Sequence, residues 1–396
     1  MKKLFCILLA LALPLAAVSA LAEPAVVKVA MQGDSTPATQ AVIDAFNASQ
    51  SDYVAEWVDM TNDSGAMREQ IITALQAGSA EYDVISMDVV WAGEFAASGY
   101  IEPLDMRLDE AGLNPADFNA GSMASGTYNG KVYVLPFFPD LGMLYFRSDI
   151  VSAEDATKLT AGDYGLADLQ AMAEAYAGQG GTSTGFVFQS AKYEGLICNA
   201  NEFTANWTDV RGGLEAMKAM ADSPATPENI LTYTEGETHN SFAKGESVFA
   251  RNWPYQWGII KAEGTITVDQ VGLAPLPGGD TVGGWILGIS NFSQNKDGAF
   301  AFLKFLNSEE GQLIMTGIGG YFPGVNAMLS DARVTEKDER YAMEGFQNAL
   351  TKTIARPVTA EYGKVSDALQ QAIYAYLTDG ADIDATAAAV EAALAL

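Results

Sequence analysis

Between Phe249 and Trp257 the chain sets Trp253, Tyr255 and Trp257 beside Arg251 and Asn252. The apolar run Ser247–Ala250 reads as a short buried strand leading into them, and Pro254, which has no N–H, stops that strand. Rings held at a strand end suit a flat ligand with an apolar face and polar edges, such as a sugar ring. Trp and Tyr are more often packing residues, so this stretch alone favours core. Other residues point the same way as the ligand reading. Asp88 and Asp140 each follow an apolar stretch and can accept charge-assisted hydrogen bonds from hydroxyls, worth roughly 1.5–3 kcal/mol each when shielded from water. Trp285 offers a further stacking face, Gly284 admits a close backbone approach, and Arg356 can donate to hydroxyls or hold either aspartate. The competing readings are a helix cap for Asp88, a solvated carboxylate for Asp140, core for Trp285 and a structural salt bridge for Arg356.

Catalytic chemistry has little to work with. His239 is the only histidine and reads as a surface or turn residue, and no serine has nucleophile-elbow spacing. One His and one Cys outside the leader cannot build a zinc site, and no calcium-loop pattern is present, so no metal or cofactor is expected. Among 50 acidic residues nothing singles out a glycosidase pair.

The first residues explain the compartment. Lys2 and Lys3 precede an apolar run from Leu4 to Val18, and Ala20-Leu21-Ala22 offers a cleavage site, so 1–22 reads as a signal peptide. The run is broken by Pro14 and is shorter than the roughly 20 residues needed to span a bilayer. Cys6 comes too early to be a lipid-modified cysteine. Removing the leader leaves 20 basic against 50 acidic residues, a net of −30, which opposes nucleic acid and anionic membranes. Only Cys198 then remains, so no intramolecular disulfide forms and stability rests on core burial. The remaining 374 residues suggest two domains.

Elements alternate early on. Ala25–Met31, Tyr53–Val58 and Tyr82–Met87 read as strands, separated by helices over Thr39–Ser49 and Ser64–Ala77. This is the pattern of βαβ units and a parallel sheet, whose ligands bind beyond the carboxyl ends of the strands. Further on, Gly130–Val134 and Gly142–Phe146 read as strands flanking a stiff Pro136–Asp140 crossing, and Gly283-Gly284-Trp285 as the opening of a strand over Ile286–Ile289. Helices are expected over Tyr164–Tyr176, Gly212–Met220, Asp297–Leu306, Ser308–Gly317, Arg333–Thr353, Tyr362–Leu377 and Asp384–Leu394.

The order and wording of several stretches resemble the extracellular solute-binding proteins of ABC sugar importers, the maltose- and trehalose-binding group. The stretches are Tyr82 to Asp88 with Trp91, Gly130 to Phe137, Asp140 to Arg147, Phe242 to Gly245 leading to Arg251-Asn252-Trp253-Pro254-Tyr255, then Gly283-Gly284-Trp285 and Arg356 to Tyr362. The resemblance implies a two-lobed periplasmic-binding-protein fold (type II), each lobe a mainly parallel sheet flanked by helices, with the ligand cleft at the hinge. It implies that 23–138 and 284–326 form one lobe and 139–283 and 327–396 the other. It carries ligand contacts onto Asp88, Asp140, Trp253, Tyr255, Gly284, Trp285 and Arg356. Asp34 and Arg68 are looser placements, because the first loop reads Gln32-Gly33-Asp34 where relatives often have Glu. The implied function is a monomeric periplasmic receptor, not an enzyme, that binds a small sugar, a disaccharide or other glucoside, and delivers it to membrane permease subunits. The rivals are a receptor for a polyol or polyamine and a glycoside-processing enzyme. Arg251 and Arg356 beside the aromatics argue against a cationic ligand.

Overall fold

The structure, a computed structural model, describes residues 24–357, 359 and 361–396. The leader expected over 1–22 lies outside the described residues. Twelve strands are present among them: β1 (Ala25–Gln32), β2 (Tyr53–Met60), β3 (Val84–Asp88), β4 (Thr127–Tyr128), β5 (Lys131–Val132), β6 (Val134–Leu141), β7 (Met143–Arg147), β8 (Thr184–Val187), β9 (Ser247–Asn252), β10 (Val271–Ala274), β11 (Asp280–Ile289) and β12 (Thr353–Ile354). They form a six-stranded sheet in the order β12-β11-β3-β1-β2 with β6 also on β11, a four-stranded sheet β10-β7-β9-β8, and the hairpin β4-β5.

The six-stranded sheet is covered on both faces because its strands are apolar at successive positions. Val29 and Met31 point into a core with Val42 and Phe46 of the helix Ala38–Ser49. Ala30, on the opposite face, joins Met67, Ile71 and Leu75, spaced one turn apart on the helix Ser64–Gln76. That helix starts where Asp63 accepts a hydrogen bond from the Ala66 N–H at 2.9 Å. Both β1–β2 and β1–β3 are parallel, as the βαβ pattern requires.

The four-stranded sheet departs from the expectation of mainly parallel strands. β8 and β9 are parallel, joined through helices, but β7 is antiparallel to both β9 and β10. The reason lies in how the chain arrives. β7 follows β6 with only Gly142 between them, so it enters this sheet straight from the other one and not through a helical crossover.

Two further expectations shift. Pro136 and Pro139 do not interrupt a strand; both sit inside β6, and the two glycines before Trp285 sit inside the ten-residue β11. Among the described strands β6 pairs only with β11, so a proline, which has no N–H to donate, can turn its nitrogen away from the partner strand. Gly284 has φ +113°, and a Cβ there would come within 2.7 Å of the Phe138 carbonyl oxygen, so this close strand crossing requires glycine. The single helix expected over Arg333–Thr353 is broken into Ala332–Thr335, a 3-10 turn at Glu339–Ala342, Glu344–Ala349 and β12. Arg340 explains the break: it turns inward, 1 % exposed, and donates to the Pro254 and Gly320 carbonyls at 2.8 Å each. No helix among the described residues is long and apolar enough to cross a membrane.

Candidate functional site

The carboxyl ends of β1, β2 and β3 face the segment after β9 and the first turns of two helices, Glu194–Phe203 and Glu235–Ala243. Between them lies a cavity of about 340 Å³, within the roughly 300–1,000 Å³ usual for small-molecule sites. Asp88, Asp140, Trp253, Tyr255, Gly284, Trp285 and Arg356 all line it. β11 organises the floor. Asp88 lies across from Trp285 on the β3 side, and Asp140 across from Gly283 on the β6 side. The register slips between Trp285 and Ile286, leaving Phe137 without a cross-strand partner.

Arg356 resolves toward its structural reading. Its Nη1 donates to Asp88 Oδ2 at 2.9 Å and Glu194 Oε1 at 2.8 Å, and its Nη2 to Asp88 Oδ1 at 2.5 Å. Glu194 also accepts from the Tyr362 hydroxyl and, at 2.7 Å, from Ser366 Oγ. All three ionic groups are buried, and Arg356 Nε has no partner among the described residues. Asp88 is thus mainly an ion-pair partner, with only a 3.3 Å turn bond from the Val90 N–H in place of a helix cap. Burial pushes the Glu194 carboxyl up, with Arg356 opposing.

Around Asp140 the chemistry differs. Its only hydrogen bond among the described residues is from the Leu141 N–H, 3.0 Å away, and burial pushes its carboxyl well above the usual range, with Arg251 and Arg340 opposing only in part. Trp253 packs against Gly283, where a Cβ would sit 2.8 Å from its ring. The Trp253 indole N–H donates to Glu235 Oε1 at 3.3 Å, and the Tyr193 hydroxyl to Glu235 Oε2 at 2.7 Å. Burial pushes the Tyr255 phenol well up, and Glu235 and Asp140 add to that from nearby.

The stretch Phe249–Trp257 divides by position. Phe249 and Trp257 are buried in the core, while Trp253 and Tyr255, each 9 % exposed, reach the cavity. Arg251 lies 3.9 Å from the Trp253 ring centroid and pairs with Glu202 through Nε at 2.8 Å and Nη2 at 2.5 Å. This corrects the argument against a cationic ligand. Both arginines near the aromatics are neutralised, Arg251 by Glu202 and Arg356 by two carboxylates, so neither repels a cation in the cavity.

Asp34 and Arg68 stand outside the lining. Asp34 accepts from the N–H and hydroxyl of both Thr36 and Thr39 at 2.7–2.9 Å, bracing the start of the helix Ala38–Ser49. It reaches the site only through Tyr321, whose hydroxyl donates to it at 2.7 Å. Arg68 pairs with Glu94 at 2.6 Å and Glu69 at 2.7 Å, and its guanidinium packs beside Gly363.

Sequence reasoning missed Glu194, Glu235, Tyr193 and Tyr321. The capping box Thr234…Glu237, with Thr234 N–H to Glu237 Oε2 at 2.8 Å, is a readable signal for the helix that Glu235 opens. His239 is a further correction. It is 9 % exposed, not a surface residue, and its Nδ1 lies 3.1 Å from the Tyr255 hydroxyl, where burial holds its pKa down.

Comparison with known proteins agrees with this geometry. Residues 41–342 match the family model described as bacterial extracellular solute-binding protein. A probable ABC transporter-binding protein of Deinococcus radiodurans is 28 % identical over 84 % of this chain and 83 % of its own. The mannitol-binding protein of Pseudomonas aeruginosa is 23 % identical over 71 % of this chain and 69 % of its own. The solved structure of maltose-bound T. maritima MalE3 superposes with a TM-score of 0.83 at 28 % identity, covering 94 % of this chain and 99 % of that one. The two-lobed α/β plan is thus shared, and the chain belongs to the bacterial extracellular solute-binding protein family.

Proposed function

We propose that this protein is the periplasmic receptor of an ABC importer for a small carbohydrate, a disaccharide or other glucoside before a polyol, and that it acts as a monomer. The observation that carries the reading is the convergence of Asp140, Trp253, Tyr255 and Trp285 on one cavity between the two sheets. Aromatic faces beside a buried carboxyl group suit a ring with an apolar face and hydroxyl edges. Relatives named for maltose and for mannitol support the ligand class.

In this reading 23–138 with 284–326 form one moving half and 139–283 with 327–396 the other. β6 and β11, which run antiparallel through the junction, are the hinge strands. A solute touching both halves favours the closed arrangement by its differential affinity. Asp88 and Arg356 tie the halves together, and Asp140, Trp253 and Tyr255 hold the solute.

The test is a thermal-shift panel of maltose, trehalose, sucrose, monosaccharides and polyols, with the solute recovered afterwards. A true ligand at 100 times its dissociation constant stabilises by about 2.7 kcal/mol and comes back unchanged. Hydrolysed sugar, or no shift with any member, contradicts the proposal.

A further inference from the structure

The cavity is short of positive charge. Asp88 and Glu194 share the single guanidinium of Arg356, while Asp140 and Glu235 form no ion pair with any described residue. The other cation in the lining, Lys192, is exposed and likewise unpaired among the described residues. Asp140 and Glu235 flank the same indole: Trp253 donates to Glu235 and packs on Gly283, the cross-strand partner of Asp140. Both carboxylates also act on the Tyr255 phenol.

Resting on the carbohydrate reading above, we propose that the solute bears a protonated amine, an amino sugar or amino polyol, whose ammonium group lies between Asp140 and Glu235 against Trp253 and Tyr255. Donor arithmetic favours this over a neutral sugar. A cation there draws Asp140 into its ionised form, and an ionised carboxylate only accepts; a hydroxyl donates one hydrogen and an ammonium three, so one ammonium serves both acids where one hydroxyl serves one. It also offsets the cost of ionising Asp140 beside Glu235 in a shielded space and gains from the ring faces. The raised Asp140 carboxyl agrees, since burial and the neighbouring Glu235 are what a cation there would offset. The remaining hydroxyls of the solute face Trp285.

The experiment is titration calorimetry with matched pairs: glucosamine against glucose and N-acetylglucosamine, and 1-amino-1-deoxyglucitol against glucitol, on the full chain and on Asp140→Asn and Glu235→Gln. The expected result is at least tenfold tighter binding of a charged member than of its neutral counterparts, an advantage that falls with added salt and disappears in both variants. Equal or tighter binding of the neutral members overturns the inference and leaves the carbohydrate reading standing. So does binding by neutral disaccharides when neither member of either pair binds. Failure of every sugar and polyol, charged or neutral, overturns both.

Discussion

Asp88 and Glu194 share a buried arginine, and Glu194 also accepts from two hydroxyls, whereas among the described residues Asp140 and Glu235 accept only from neutral donors. Both pairs border one cavity, and Asp88 and Asp140 flank the same strand two residues apart along β11. The first pair has its charge balanced inside the protein, so its work is to hold segments together. The second pair keeps unfilled acceptor capacity at the cavity wall, so its work is left for a ligand. An acidic cavity is therefore not uniform in function, and the location of its arginine separates the structural side from the binding side.

Breaking the balanced side has the largest expected effect. Arg356→Met leaves Asp88 and Glu194 buried without a countercharge, and loss of one partner from a buried ion pair costs about 3–5 kcal/mol. Urea unfolding should show that loss, and adding Glu194→Gln should recover part of it.

On the other side the signs reverse. Asp140→Asn should weaken binding at least tenfold, about 1.4 kcal/mol, yet leave the empty protein as stable or more so at pH 7. The folded pKa of Asp140 is raised, so its stabilising share is complete below the unfolded value of about 3.9 and is lost as pH rises toward the folded one. The asparagine variant should show a flatter loss of stability with rising pH in denaturant titrations. A stability loss as large as that of Arg356→Met would erase the distinction between the two sides.

His239→Phe keeps the ring volume but removes the group facing the Tyr255 hydroxyl. A loss of about 1 kcal/mol in binding, several-fold in Kd, is expected from calorimetry with the fold intact by circular dichroism. The smallest effect belongs to Arg68→Ala. Its pair with Glu69 is exposed and its pair with Glu94 only part-buried, so unfolding should change by about 1 kcal/mol and solute affinity not at all.

The sequence exposed some of this and concealed the rest for physical reasons. The elements around β1 to β3 were readable because their helices carry one apolar face and their strands lead into polar loops. The helix Glu194–Phe203 was not read: every residue in it is buried, the polar ones included, so its polar residues do not mark a solvent face. Glu194 and Glu235 were two acids among 50, and only three-dimensional convergence marks them. Arg356 was legible both as a ligand contact and as a structural salt bridge, and nothing in the sequence chose between them. Its partners lie 162 and 268 positions away along the chain, beyond any local pattern.

The central claim is that one solute occupies the cavity beside Asp140 and Trp253. Titration calorimetry of the best solute from the panel against the wild-type chain, Asp140→Asn and Trp253→Ala tests it most directly. The account predicts one solute per chain for the wild type and at least a tenfold rise in Kd for each variant. Unchanged affinity in both variants would place the ligand elsewhere and contradict it.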